Sequence, residues 1–249
     1  MDTMNVIGHL GELRKRIMVT MFAFVGALAA ALCCVQQIYG WLTQHLDMRL
    51  ALLGPSDILW VYMMISAVIA AAVTTPVFAY QLWRFVKPAL SAEEHRAAFH
   101  MIPAVSLLFI GGINFGYFIV FPVVSSFLLG LSAGQFQTLY TAEKYFRFMV
   151  NLTLPFGLLF EMPAVVIFLT RLGILNPERL AKARKTAYFA LVVTAVTVTP
   201  PDIVSDVLVI IPLLLLYECS VSLSRIVYRK RLRRMAEEEQ RAGTALSGL

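Results

Sequence analysis

Residues 17–35 read IMVTMFAFVGALAAALCCV, and none of these 19 residues carries a charge. A helix that crosses the hydrocarbon core of a bilayer needs about 20 apolar residues, so this stretch is long enough to span a membrane. It is also longer than the apolar region of a secretory signal peptide, which has about 7–15 residues. The sequence therefore predicts a first transmembrane helix that is retained in the protein.

Five more apolar segments follow this one. Together the six cover residues 17–38, 58–82, 99–131, 146–172, 187–199 and 203–223. The chain is 59% hydrophobic and 14% charged, whereas a soluble domain carries about a quarter charged residues. These features predict an all-α integral membrane protein with six transmembrane helices in a single domain over residues 1–249. Residues 1–16 are expected to form a lead-in helix, and residues 225–249 a tail that is disordered at its end.

The fifth segment is short, because its 13 residues make a helix of about 20 Å against a core of about 30 Å. It is either a re-entrant excursion or a true short span. We favour two short spans, the fifth and the sixth, which turn at Pro200 and Pro201. Six prolines also fall within apolar segments, where proline tends to kink a helix. They predict a kinked, cupped bundle; they are Pro76, Pro103, Pro122, Pro155, Pro163 and Pro212.

Basic residues are distributed unevenly between the two sides of this arrangement. With the N-terminus inside, 18 of the 21 lysines and arginines lie on the inner side, and only Arg49, Lys144 and Arg147 lie outside. Cytoplasmic segments of membrane proteins carry such an excess of basic residues. We therefore expect both termini in the cytoplasm. The net charge of +6 then reflects topology, and we expect no nucleic-acid partner.

The polar stretch WRFVKPALSAEEHR, at residues 83–96, joins the second and third apolar segments. It contains aromatic residues, a proline, basic residues and two adjacent glutamates, which a simple turn between two spans does not require. Ser91 and Glu94 have the spacing of a capping box that begins a helix, with Glu93 beside them. Glu12, ahead of the first span, stands four residues before Arg16, which is the spacing of a helical ion pair. These structural roles and a binding role both remain open.

Acidic residues within spans are costly, and by default they indicate a functional or packing role. Glu161 lies in the middle of the fourth segment, where it could donate to a backbone carbonyl freed by Pro163, or face a partner helix or a wet cavity. Asp202 is well placed as the N-cap of the sixth helix. Glu218, near the other end of that helix, is expected to reach Arg225.

No catalytic constellation is present in the sequence. His9, His45, His95 and His100 do not have metal-ligand spacing, and Cys33, Cys34 and Cys219 form neither a disulfide framework nor a metal motif. We therefore expect no enzyme activity, no metal and no cofactor.

Several motifs, taken together and in order, resemble the TatC family, the core receptor of the twin-arginine protein translocase. They are HLGELRKR at residues 9–16, Pro76 with YQLW at 80–83, FVKPAL at 85–90 with Glu94 and Arg96, FGYFIVFP at 115–122, FGLLFEMP at 156–163 and TPPD at 199–202. The resemblance extends over nearly the whole chain.

This resemblance implies a six-helix bundle with both termini in the cytoplasm, in a bacterial-type cytoplasmic membrane. It implies that paired-arginine signal peptides of folded cargo bind at the inner face, and that the proton-motive force drives export. Signal-peptide binding is thereby assigned to Glu12, Glu94, Phe85, Arg14, Leu13 and Pro88. Contact with single-span partners of the TatA type, and of a TatB type where one exists, is assigned to Glu161, Asp202, Pro163 and Tyr117. Membrane lipid and further copies of the chain are expected neighbours.

The carboxylates of Glu12 and Glu94 on the inner face suit a ligand with two arginines, because carboxylates hold guanidinium groups through paired hydrogen bonds. The first outer loop departs from the family pattern, with Gln44, His45 and Leu46 where many members have a proline-leucine pair. An alternative hypothesis is a proton-coupled small-solute transporter that uses Glu161, although no second ionisable group lies near mid-membrane. A purely structural scaffold is a third reading.

Overall fold

The computed structural model describes residues 2–44, 50–86, 101–132, 141–200 and 202–247, with side chains except at residues 2–10, 132, 234–239 and 241–247. Nearly all of this part of the chain is helical. The helices are α1 (Asp2–Thr43), α2 (Pro55–Val86), α3 (Met101–Phe115), α4 (Phe121–Ser132), α5 (Ala142–Leu159), α6 (Met162–Arg171), α7 (Pro177–Lys182), α8 (Arg184–Val198) and α9 (Ile203–Ser247). A π-helical turn, Gly116–Val120, joins α3 to α4.

Five helical stretches within the described ranges are long and apolar enough to cross a membrane. They are Gly11–Thr43, Pro55–Val86, Met101–Leu131, Ala142–Arg171 and Ile203–Arg233. The fifth apolar segment of the sequence forms α8, which has 15 residues and is therefore about 22 Å long. The prediction of an all-α, multi-pass membrane fold is thus confirmed, and the fifth helix is short as expected.

The sixth helix differs from its prediction. We expected a short span followed by a separate tail, but α9 continues without a break from Ile203 to Ser247, over 45 residues. The reason lies in the composition of its second half. Arginine, glutamate, alanine and leucine favour the helix, and neither proline nor glycine occurs after Pro212 until Gly243. The disorder expected at the end of the tail stays a prediction.

Two glycines, one in α3 and one in the π-helical turn that follows it, bring this part of the chain into close contact with α5. A Cβ atom on Gly112 would lie 2.5 Å from the carbonyl oxygen of Phe156, and one on Gly116 would lie 2.8 Å from the Cα of Thr153. Gly157 contributes from the other side, since its Cβ would lie 2.8 Å from Ile113. The backbones therefore approach as closely as a small-xxx-small pair permits.

The π-helical turn stands immediately before a proline. The N–H of Phe121 donates to the carbonyl of Gly116, five residues earlier, and Pro122 follows it. Proline has no N–H and its ring clashes with the carbonyl four residues before it, so a wider turn at this point lets the helix continue. Of the other prolines, Pro76, Pro155 and Pro212 lie inside helices.

The bundle is packed unevenly around α5. Large side chains of α3 and α5 are fully buried, among them Phe109, Phe146, Leu152 and Phe156. In the most apolar window of the α5–α6 span 39% of the residues are buried, whereas in that of α1 the share is 6%. Because α1 packs chiefly on α2, it lies at the edge of the bundle.

Candidate functional site

An open groove of about 440 Å³ lies between α1 and the C-terminal half of α2. Leu13 and Arg16 line it from α1, and Phe85 lines it from the last turn of α2. Most of its remaining lining is apolar, including Ile17, Met21, Phe24, Phe78 and Leu82. The structure thus brings together two residues that the resemblance assigned to one site, Leu13 and Phe85.

Glu12 and Arg16 form the predicted ion pair beside this groove. The guanidinium NH2 of Arg16 donates to the Glu12 carboxylate, one helical turn away. The Arg16 side chain is 13% exposed, against 38% for Glu12. The Nε and the other terminal nitrogen of Arg16 are buried and have no hydrogen-bond partner within the described part of the chain. The sequence suggested Arg16 only as a partner for Glu12, and its place in the groove became visible only with α2 beside it.

Of the other inner-face candidates, the structure describes only Arg14. Arg14 is exposed and is not among the groove residues. Glu94 and Pro88 lie outside the described residues, as do Glu93 and the capping box predicted at Ser91. Their assignments remain predictions.

Glu161 occupies the break between α5 and α6. At this point the helix tightens, with the Glu161 N–H donating to the carbonyl of Leu158 at 3.2 Å, and α6 begins at Met162 with Pro163 in its first turn. Both carboxylate oxygens of Glu161 are buried, and neither has a hydrogen-bond partner among the described residues. Of the three alternatives that the sequence left open, the bond from Glu161 to a carbonyl freed by Pro163 is therefore not formed among the described residues.

The Glu161 side chain instead lines a second cavity of about 180 Å³. Apolar residues of α2, α3, α5 and α6 form the other walls, including Phe78, Leu82, Val105, Leu158 and Val165. A carboxylate in such surroundings is costly unless a polar group reaches it, and so this position is a candidate binding site.

One helix separates the two cavities. Thr75, Phe78 and Leu82, all on α2, line both the groove beside α1 and the cavity that contains Glu161. Pro76 lies within this same stretch of α2. The two candidate sites are therefore neighbours that share a wall.

The other three candidates for partner contact do not line the cavity around Glu161 within the described ranges. Pro163 is buried in the first turn of α6. Tyr117 lies on the π-helical turn, where its ring stacks on Trp41 with centroids 6.2 Å apart. Asp202 caps α9 as predicted, because its Oδ1 accepts from the N–H of Ser205 at 2.7 Å.

A cluster of polar side chains, which the sequence did not indicate, joins α8 to α9. Glu218 was expected to reach Arg225, but its carboxylate accepts from Arg184 at 2.8 Å and from the hydroxyl of Tyr188 at 2.5 Å. Tyr217 beside it donates to the carbonyl of Leu180 at 2.8 Å. No sequence spacing signals this cluster, because its hydrogen bonds join residues that are 30 to 37 positions apart.

Comparison with known proteins identifies the family. The family model described as Sec-independent protein translocase protein (TatC) matches residues 8–212. TatCd of Bacillus subtilis (strain 168) is 61% identical over 229 residues, which cover 92% of this chain and 95% of the relative. TatC of Aquifex aeolicus (strain VF5) is 36% identical over 236 residues, covering 92% of this chain and 98% of the relative.

Two crystal structures described as the twin-arginine translocase receptor TatC have the same fold. One superposes with a TM-score of 0.78 at 34% identity, covering 88% of this chain and 99% of that chain. The other, in the detergent DDM, gives 0.79 at 35% identity, covering 87% and 99%. With the helical order and the family match in agreement, the chain belongs to the TatC family of Sec-independent protein translocase proteins.

Proposed function

We propose that this protein is the signal-peptide receptor and core subunit of a twin-arginine translocase. In this role it binds paired-arginine signal peptides of folded cargo and recruits small single-span partners, and the proton-motive force rather than a catalysed reaction drives export. The observation that carries the proposal is the groove between α1 and α2, where Leu13 and Phe85 lie next to the Glu12–Arg16 pair.

The groove offers a signal peptide two kinds of contact. A signal peptide of this class has a pair of arginines followed by an apolar region. Carboxylates hold guanidinium groups through charge-assisted, paired hydrogen bonds, so Glu12 would take one arginine and Glu94 the other. The apolar region would then lie along the groove wall, against Leu13 and Phe85. Arg14 and Pro88 complete the proposed binding face.

The orientation that this requires has both termini in the cytoplasm, with the protein in a cytoplasmic membrane of bacterial type. The bias of basic residues, 18 of 21 on one side, supports it. The inner side is also where a signal peptide on cargo made in the cytoplasm arrives first.

The partners in this proposal are single-span proteins of the TatA type, together with a TatB type in systems that have one, and further copies of the chain. Glu161 is the central residue for their docking, because a polar group on a partner helix would meet its carboxylate in the apolar cavity. Pro163 shapes the chain next to it, while Tyr117 and Asp202 would contact a partner nearer the outer end.

Site-specific photocrosslinking tests the receptor role. A photoreactive amino acid is placed at Phe85 or at Glu94, one position at a time, and membranes are incubated with a labelled twin-arginine precursor. We expect crosslinks at both positions, and their loss when the arginine pair is changed to lysines. A photoreactive residue at Phe189, an exposed position of α8 far along the chain from the groove, is the control. Absence of crosslinks from both Phe85 and Glu94 would contradict the receptor role.

A further inference from the structure

The part of α9 beyond Ser224 has one strongly basic exposed face. Arg225, Arg229 and Arg233 recur every fourth residue, and Ile226 and Lys230 lie beside them; all five side chains are exposed. At 3.6 residues per turn these five positions fall within an arc of about 140°. The face therefore presents four cations and one isoleucine, and residues 219–233 contain no acidic residue.

The opposite face of the same stretch is anchored to the bundle. Val227, Tyr228 and Arg231 are half-buried there. The Arg231 guanidinium lies against Gly173, in the turn that ends α6. About two turns earlier, Ser224 is hydrogen-bonded to Thr170 at 2.8 Å. Because both contacts hold α9 on α6, the direction of the basic face is fixed.

The nearest acidic residues offset this face only at its two ends. Glu218 lies seven residues before Arg225 on the same side of the helix and interacts with it electrostatically, but its carboxylate is bonded to Arg184 at 2.8 Å. Glu237 follows Arg233 by four residues on the same side of the helix, so it can offset only that last cation. Arg225, Arg229 and Lys230 thus precede it with no acidic residue among them.

The basic face begins where the apolar part of the span ends. The apolar segment stops at Leu223, and Leu223 and Ile226 are 38% and 54% exposed. Long arginine and lysine side chains at such a boundary reach outward to the headgroups, while exposed apolar side chains beside them contact the acyl chains. Clustered basic residues next to a transmembrane helix attract anionic headgroups.

We propose that the face formed by Arg225, Ile226, Arg229, Lys230 and Arg233 binds the phosphate groups of anionic phospholipids in the leaflet that α9 leaves at Leu223. Guanidinium groups suit this ligand, because two of their N–H groups donate in parallel to phosphate oxygens. The face would hold such lipids at one fixed place on the protein, beside the turn after α6.

Spin-labelled lipids test this binding surface. The purified full-length protein is reconstituted in phosphatidylcholine vesicles with either spin-labelled phosphatidylglycerol or spin-labelled phosphatidylcholine. Electron spin resonance then gives the ratio of their association constants at the protein. We expect the wild-type protein to prefer phosphatidylglycerol. The triple variant Arg225→Gln/Arg229→Gln/Arg233→Gln should lower that preference about fivefold or more, since one such cation alone corresponds to about fivefold.

Two variants serve as controls. Arg179→Gln/Lys182→Gln/Lys185→Gln removes the same charge from exposed residues of α7 and the start of α8, and should retain most of the preference. The lysine variant Arg225→Lys/Arg229→Lys/Arg233→Lys keeps the charge but loses the paired guanidinium hydrogen bonds, so it should lose less of the preference than the glutamine variant. An equal loss in the α7–α8 variant would overturn the proposal, as would a wild-type protein without preference. Displacement of the labelled lipid by millimolar inorganic phosphate would indicate a free-phosphate site, and it too would overturn the assignment to lipid.

Discussion

At the scale of single residues, the Glu12–Arg16 pair changes how the proposed receptor site is understood. The carboxylate that would receive an arginine of the signal peptide already holds an arginine of its own chain. The incoming guanidinium group therefore competes with Arg16 rather than entering an empty site. An ion pair between residues i and i+4 of a helix is worth about 0.3–0.5 kcal/mol, so the competition is weak and reversible.

The first prediction concerns this competition. Arg16→Gln should raise the affinity for a twin-arginine signal peptide about twofold, the factor that corresponds to the loss of one such pair. Glu12→Gln should lower the same affinity about tenfold or more, because a charge-assisted acceptor is lost. Binding of a fluorescent signal peptide to the purified protein measures both. Lys15→Gln, which removes a neighbouring exposed charge, is the control. A weaker affinity in Arg16→Gln would show that Arg16 positions Glu12 instead of competing for it.

A second prediction concerns Glu161. A buried polar group without a partner costs about 1–3 kcal/mol, so Glu161→Leu should leave the melting temperature of the purified protein unchanged or raise it by a few degrees. The same variant should lose export of twin-arginine cargo, since the apolar cavity then has no carboxylate for a partner helix.

Differential scanning fluorimetry in detergent measures the first effect, and an export assay in cells measures the second. Glu143→Leu is the comparison, because Glu143 is paired with Arg147 at 2.5 Å. A clear drop in the melting temperature of Glu161→Leu would mean that Glu161 stabilises the protein itself.

At the scale of helices, the crossing of α3 and α5 depends on the absence of a side chain. Gly112→Ala would place a Cβ 2.5 Å from the backbone oxygen of Phe156, and we expect a loss of about 1–3 kcal/mol in stability. Gly111 offers a matched control in the same helix, since a Cβ there meets nothing within 4 Å. Gly111→Ala should be neutral or slightly stabilising, because alanine favours the helix over glycine by about 0.5–1 kcal/mol. Thermal unfolding of the two variants in one detergent makes the comparison, and equal effects would contradict the close crossing.

The sequence predicted those local features that depend on residues near one another in the chain. The Glu12–Arg16 pair and the Asp202 cap both follow from spacings of three or four residues, and the structure confirms them. The sequence did not predict the partner of Glu218, because the choice of Arg184 over Arg225 depends on how α8 packs on α9. The continuation of α9 was missed because charged residues were read as a solvated tail, although they favour helix when no proline or glycine intervenes.

At the scale of the whole molecule, hydropathy and motif order were enough for the fold class and the family. The candidate site was predictable only in part. Motifs indicated Leu13 and Phe85 separately, but the groove that they share depends on α1 lying along α2, and the inclusion of Arg16 depends on the direction of its side chain. Neither can be read from spacing. The cavity around Glu161 likewise requires residues from four helices.

A prediction about topology belongs to this scale. With Cys33, Cys34 and Cys219 changed to serine, single cysteines are introduced at Ser56 and at Gln240. A membrane-impermeant maleimide should label the Ser56→Cys protein in intact cells, and label the Gln240→Cys protein only after the membrane is permeabilised. This follows from the positive-inside bias. Labelling of Gln240→Cys in intact cells would reverse the proposed orientation.

The wall that α2 provides to both cavities has a consequence for how such a protein can change in evolution. Thr75, Phe78 and Leu82 line the groove beside α1 and the cavity around Glu161 at once. A substitution selected because it suits one occupant therefore alters the surface offered to the other. Second-site suppressors of a defect in either cavity should accordingly concentrate on this short stretch of α2, and relatives that differ there should differ in both of their ligands together.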